Sequence, residues 1–253
     1  MKSLIFILFF PLAAMSQSLT MEVQQYFYLK DFNKAENILL KILKDNPYNI
    51  EAIELLGDSY GHQTKWDDAI KLYKELVDSI PNNANYHYKY GGALGMKALS
   101  VNKLKALTIV DDVKEAFLKA AELDPNHIDT RWALVELYMQ LPGIIGGSKS
   151  KSLNYANELK ALSKVDGYLA KGYIYEYDDE PELAEKYYKM AITEGDSFLC
   201  YKRLINLYIG LKEYNTAIHY LEIAYTKFKS EEIIEEIKVI SNKYNVPSIL
   251  ISE

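Results

Sequence analysis

A single cysteine, Cys200, stands in 253 residues, so the chain can form neither an intramolecular disulfide nor a cysteine-based zinc site. Proline (7) and glycine (12) are too sparse for a turn-rich all-β protein of this length. Positive charge is in deficit, because 29 Lys and Arg against 35 Asp and Glu leave −6. That balance is wrong for a general nucleic-acid binder, which needs a basic footprint on the phosphates. The four histidines (His62, His87, His127 and His219) are scattered and share no metal-ligand spacing with carboxylates. No metal site and no cofactor is expected from these counts. What remains is an ordinary globular composition with one excess, 22 tyrosines.

Long apolar runs are also missing, except at the start. Residues 4–15 (LIFILFFPLAAM) follow a short positive segment containing Lys2. A spanning helix needs about 20 apolar residues, and this run is shorter and interrupted by Pro11. Ala14 and Ser16 are small residues at the third and first positions before a cut that would leave Gln17 first. The layout is that of a secretory signal peptide over residues 1–16. Export to the periplasm or outside the cell is therefore expected, with no stable membrane span afterwards.

The rest of the chain repeats. Residues 49–83 contain Leu56-Gly57, Tyr60, Ala69, Tyr73 and Pro81. Ala35, Leu39 and Pro47 stand 34 residues before Ala69, Tyr73 and Pro81, and Gly91 stands 34 after Gly57. Phe117, Ala120 and Pro125 fall 44 after Tyr73, Leu76 and Pro81. The third copy therefore holds ten extra residues within 98–112. Leu134 and Tyr138 mark a fourth copy, followed by a loop and a helix from about Lys149. Gly172, Tyr175, Ala184, Tyr188 and Ala191 mark a fifth. Leu204, Tyr208, Ala217, Leu221 and Ala224 mark a sixth. Residues 231–244 read as a final helix with Glu and Lys on one side, suited to cap an exposed end.

These spacings match L-G-x2-Y…A-x3-F…P, and the sequence resembles the tetratricopeptide-repeat family over nearly all of the chain after the leader. The resemblance implies an all-α fold, a right-handed superhelical solenoid of antiparallel helix pairs. About six repeats would lie near 17–49, 50–83, 84–127, 128–164, 165–197 and 198–230, with a capping helix and tail over 231–253. Twelve or thirteen helices are expected. Small residues at the Gly and Ala positions let paired helices approach, and an aromatic fills the gap to the next pair. Proline ends the second helix, since it lacks an N–H and clashes with the preceding turn. No unit buries its apolar face alone, so neighbours must stack.

Two short motifs suggest enzymes and fail on context. Gly57-Asp58-Ser59-Tyr60-Gly61 satisfies G-x-S-x-G, but the serine-hydrolase elbow needs a strand turning sharply into a helix. Here Ile50, Ile53 and Leu56 have helical spacing before it. The stretch 143–150 (GIIGGSKS) nearly reads as a phosphate-binding loop, yet Ser148 stands where glycine must precede Lys-Ser, and no strand leads in. A smaller expectation survives there: Gly146, Gly147, Ser148 and Lys149 form a candidate loop for an anion or a partner, with Ser148 a good helix N-cap. Cys200 reads as a small core residue.

The resemblance places the first helix of each pair on a concave side that usually binds peptides or protein segments. It implies a groove of Glu51, Glu54, Asp58, Tyr88, Trp132, Glu136, Tyr173, Glu176 and Tyr177. Trp132 has two readings, a slightly shifted packing residue or an aromatic platform beside Glu136. The surrounding carboxylates favour a basic partner segment. Lys202 and Asn206 occupy two positions that family members use to clamp a C-terminal carboxylate, but the further repeats such a clamp needs are absent. The expected function is a non-enzymatic exported adaptor or assembly scaffold for a protein or peptide. A small-ligand or solute-binding component is the alternative, and a hydrolase using Ser59 stands behind both.

Overall fold

The structure, a computed structural model, describes residues 21–251, so the leader over residues 1–16 lies outside the described residues. All regular structure among them is helical. A helix over 21–28 (α1) precedes α2 (Phe32–Asp45), α3 (Ile50–His62), α4 (Trp66–Ser79) and α5 (Ala84–Ser100). Then come α6 (Lys103–Leu107), α7 (Val110–Leu123), α8 (Ile128–Gln140), a single 3-10 turn (Gly143–Ile145) and α9 (Lys149–Leu162). The chain continues through α10 (Lys164–Tyr177), α11 (Pro181–Gly195), α12 (Phe198–Gly210), α13 (Tyr214–Phe228) and α14 (Glu231–Tyr244).

Caps explain the helix starts. Asn49 accepts from the Ala52 amide at 3.0 Å, Asn83 from Tyr86 at 3.2 Å and Ser163 from Asp166 at 3.3 Å. Each satisfies an amide that the first helical turn leaves without a partner. Between paired helices the chain reverses through single residues in left-handed backbone, such as Thr64 (φ 59°), Asp179 (φ 59°) and Lys212 (φ 62°). Such a residue ends one helix and lets the next turn back within a few residues.

The described residues divide into two units, one ending at His127 and the other beginning at Ile128. In the first, α3 packs on α2 and α4, and α5 packs on α4 and α7. In the second, α8 to α11 each pack on the next helix in order, as do α11 to α14. There α10 also touches α8 and α12, so the first helices of three pairs form a row. Burial follows the repeat. Ala69, Ala120, Ala184, Ala191, Ala217 and Ala224 are fully buried at helix crossings, and Leu76, Tyr188, Leu204 and Leu221 fill the space between pairs.

The helix number exceeds expectation. The difference is α6, which together with the long α5 accounts for the ten extra residues of the third copy. No helix among the described residues is long and apolar enough to cross a membrane.

Candidate functional site

The glycines of the repeat set the geometry on which any site rests. A Cβ on Gly57 would lie 2.6 Å from Tyr73 Cε1, and one on Gly91 would lie 2.9 Å from the Phe117 ring. Gly172 presses on Tyr188 in the same manner. Each aromatic ring thus fills the space that a side chain on the glycine would need. Where the ring is a tyrosine, its hydroxyl reaches an acceptor on the glycine-bearing helix. Tyr73 donates to Asp58 Oδ1 at 2.7 Å, and Tyr188 donates to Glu176 Oε2 at 2.5 Å. Burial first, and the facing carboxylates second, hold both phenols well above the usual tyrosine range.

In the first unit part of the expected acidic face is already paired. Lys89 of α5 lies 2.7 Å from Glu54 Oε1 and 2.7 Å from Asp58 Oδ2, while Asn85 Nδ2 donates to Glu54 at 3.1 Å. Glu51, in the first turn of α3, is exposed. Tyr88 is half-buried, with its ring centroid 6.1 Å from Phe117 and 5.2 Å from His127. Ser59 lies wholly inside α3, and its hydroxyl donates to the Phe32 carbonyl at 2.9 Å. That hydroxyl ties α3 to α2 and faces no solvent. Strand, elbow and exposed nucleophile are all lacking there.

In the second unit the row of α8, α10 and α12 gathers the remaining groove residues. Trp132 is half-buried against the surrounding apolar clusters, and its indole N–H donates to Asp166 Oδ1 at 2.8 Å. It is therefore a packing residue with a satisfied polar edge, shared between α8 and α10. Tyr173 and Tyr177 stand one turn apart on α10 with ring centroids 6.0 Å apart, and Gln140 Nε2 donates to the Tyr173 hydroxyl at 3.3 Å. Tyr177 is exposed.

Beside them lie two half-buried charges. Glu136 of α8 has its carboxyl pushed above the ordinary range by burial, partly countered by the field of Arg203 from α12. The same guanidinium acts on Tyr173 and Tyr188. Neither Glu136 nor Arg203 makes a hydrogen bond or ion pair with a described residue. Lys202, by contrast, is paired with Glu236 of α14, which takes it out of any carboxylate clamp.

Helix pairs of this geometry occur in solved structures. TTC0263, a thermophilic tetratricopeptide-repeat protein of Thermus thermophilus, superposes with a TM-score of 0.64 at 16% identity, over 76% of this chain and 98% of that one. The fold is the tetratricopeptide-repeat (TPR) fold. A TPR protein from Parabacteroides merdae gives a TM-score of 0.60 at 14% identity, over 90% of this chain and 86% of that one. PilW, a widely conserved type IV pilus biogenesis factor, gives 0.60 at 16% identity, over 88% and 98% of the two chains. No family model and no curated protein matches the chain.

The glycine loop between the two TPR helices α8 and α9 is closed on itself. The amides of Gly146, Gly147 and Ser148 donate to the carbonyls of Gly143, Pro142 and Tyr138 at 3.1, 3.1 and 2.8 Å. Ser148 Oγ accepts the Lys151 amide at 3.3 Å as the N-cap of α9. Lys149 is salt-bridged to Asp178 and Glu180, with its ammonium 4.9 Å from the Tyr175 ring centroid. The expected anion-holding groups thus have partners within the TPR unit. The loop's glycines serve its path: Gly146 adopts φ 103°, and a Cβ on Gly147 would collide with the Leu141 carbonyl. Among the described residues no group of His, Cys, Asp and Glu could hold a metal ion.

The repeat pattern by itself passes over Lys89, Asp166, Gln140 and Arg203. A signal for most of them is present, because the pairs Trp132–Asp166, Gln140–Tyr173 and Asp58–Lys89 are each separated by about one repeat. Complementary residues one period apart are what stacked TPR units bring together.

Proposed function

We propose that this chain is an exported, non-enzymatic scaffold that binds an extended protein segment along the row of α8, α10 and α12. The observation that carries the reading is Arg203 beside Glu136. They are half-buried, lack partners among the described residues, and stand next to Tyr173 and the exposed Tyr177. A polar group held partly out of water without a partner costs stability, and a bound segment returns it. An extended backbone offers carbonyls to the guanidinium and N–H groups to the carboxylate, while tyrosines supply apolar area with a polar tip. Lys89 already pairs Glu54 and Asp58, so this reading does not require the segment to be basic. Scaffold roles suit a fold whose stacked units expose a long continuous face. PilW, of the same fold, is described as a widely conserved type IV pilus biogenesis factor.

The test is affinity capture from the cell envelope with the wild-type chain and with Arg203→Ala. Capture should fall about tenfold or more, as for an arginine at the centre of an interface, while the melting temperature stays within a degree or two. Undiminished capture by the variant would remove the row as the binding face. Export has its own test, since N-terminal sequencing of the mature protein should begin at Gln17. A soluble protein retaining residues 1–16 would sink that part of the reading.

A further inference from the structure

The ten extra residues of the third repeat build something that packing does not require. Asn102 Oδ1 accepts the Lys105 amide at 3.0 Å, and the Thr108 hydroxyl donates to the Lys105 carbonyl at 2.8 Å. Both ends of α6 are therefore capped, and it is a defined helical turn. Yet no residue of α6 is buried. Leu104 is 78% exposed and Leu107 48%, and the end of α5 adds Leu99 at 70% and Met96 at 45%. Residues three apart share a helix face, so Met96 and Leu99 line one stripe of α5, and Leu104 and Leu107 one stripe of α6. Leu99 and Leu104 in particular are left largely uncovered by the described residues.

Charge says what kind of surface would. Residues 96–110 contain Lys97, Lys103 and Lys105 and no acid, in a chain of net charge −6. Lys97 is held by Asp67 at 2.6 Å, whereas Lys103 and Lys105 are exposed and make no ion pair with a described residue. On α6 these two lysines stand about 100° to either side of Leu104. Two ammonium groups thus flank an apolar stripe.

We propose that residues 96–107 are a contact site for an anionic lipid surface. The leucines enter the boundary between headgroups and acyl chains, and the lysine stems lie along it with their ammonium groups at the phosphates. The contact is peripheral, because no described helix is long enough to cross. It is also reversible, since so small an apolar stripe falls well short of a stable anchor. A second copy paired through the same patch fits less well, because an isologous contact would set Lys103 and Lys105 of one copy against those of the other. The proposal does not depend on the row of α8, α10 and α12, and neither test decides the other.

Residues 4–15 could themselves enter lipid, so the readout belongs in the insertion. Ser100→Cys in the full chain, labelled with an environment-sensitive fluorophore, reports there; Cys200 is buried and does not compete. Emission should shift to the blue with phosphatidylglycerol vesicles and not with phosphatidylcholine vesicles, and added salt should reduce the shift. L104D/L107D should abolish it. K103Q/K105Q, which leaves the apolar stripe intact, should weaken the apparent affinity about thirtyfold. Absence of a shift on phosphatidylglycerol overturns the proposal, as does an equal shift on phosphatidylcholine or one that survives L104D/L107D. A shift without vesicles that grows with protein concentration also overturns it and assigns the stripe to a second copy.

Discussion

At the scale of single residues, the copies within this one chain compare chemistry at equivalent positions. Where the ring on the repeat glycine is Tyr73, the residue after that glycine is Asp58, which accepts its hydroxyl. Where the ring is Phe117, the equivalent of Asp58 is Gly92, and no acceptor is needed. In the fifth copy the acceptor for Tyr188 moves one helical turn along, to Glu176. The tyrosine excess is therefore structural in part, the buried phenols of Tyr73 and Tyr188 each meeting a carboxylate. Glu136 is different, since it is half-buried with no hydrogen-bonding partner among the described residues. Its carboxyl titrates above the ordinary range in the folded chain, so between the unfolded and folded values the native state binds more protons. Stability attributable to this group then falls as pH rises through that window and is restored below it. Glu136→Gln should accordingly raise the melting temperature at pH 7, with the gain vanishing as pH falls below the ordinary carboxylate range. A gain that is constant with pH would show that the carboxyl does not titrate abnormally.

Helix crossings divide what residue spacing can specify from what only three-dimensional stacking can. Leu56-Gly57, Ala69 and Tyr73 announce the pair of α3 and α4 by spacing alone, and the glycine's role follows from the 2.6 Å left for a Cβ. The loop after Tyr138 and the helices beginning at Lys149 and Glu231 are legible in the sequence for the same reason. Side-chain pairing is not, because it depends on how helices from successive repeats face each other. The capture of Glu54 and Asp58 by Lys89, and the meeting of Arg203 with Glu136, need that geometry. Trp132 has two readings in the sequence for the same cause: only the position of Asp166 shows that its N–H is taken. Glycines of identical composition should now behave oppositely. Gly57→Leu should destabilise by about 2 kcal/mol in a denaturant melt, since overpacking a tight crossing forces strain. Gly92, in mid-helix with nothing within 4 Å of its ideal Cβ, should tolerate Gly92→Ala with a gain of up to about 1 kcal/mol. Equal losses at both positions would show that close approach is not what the repeat glycine supplies.

At the scale of the whole chain, contacts are local in sequence, and this decides how the structure comes apart. In the second unit each helix packs on its neighbours in order, α10 also reaches α8 and α12, and α14 reaches α12. Stability in such an array is close to a sum of nearest-neighbour terms, so opening proceeds from an end and need not be all-or-none. The end here is α14. Its Ile233 and Ile237 are fully buried in the cluster formed by Leu204, Ile218 and Leu221, and Glu236 takes Lys202 from α12. Two kinds of contact therefore hold the cap, an apolar seam and an ion pair. Ile237→Ala leaves a cavity in that seam and should cost about 2–4 kcal/mol locally. Amide hydrogen exchange should then quicken in α12, α13 and α14 while α8 and α9 keep their protection. Were the second unit one cooperative block, all seven of its helices would lose protection together, and the nearest-neighbour description would fail. The expected gradient also bears on binding, because Arg203 sits on α12, next to the cap. Loosening α14 should weaken partner capture through Arg203 before it disturbs Glu136, which makes the cap a support of the binding row as well as a cover for the core.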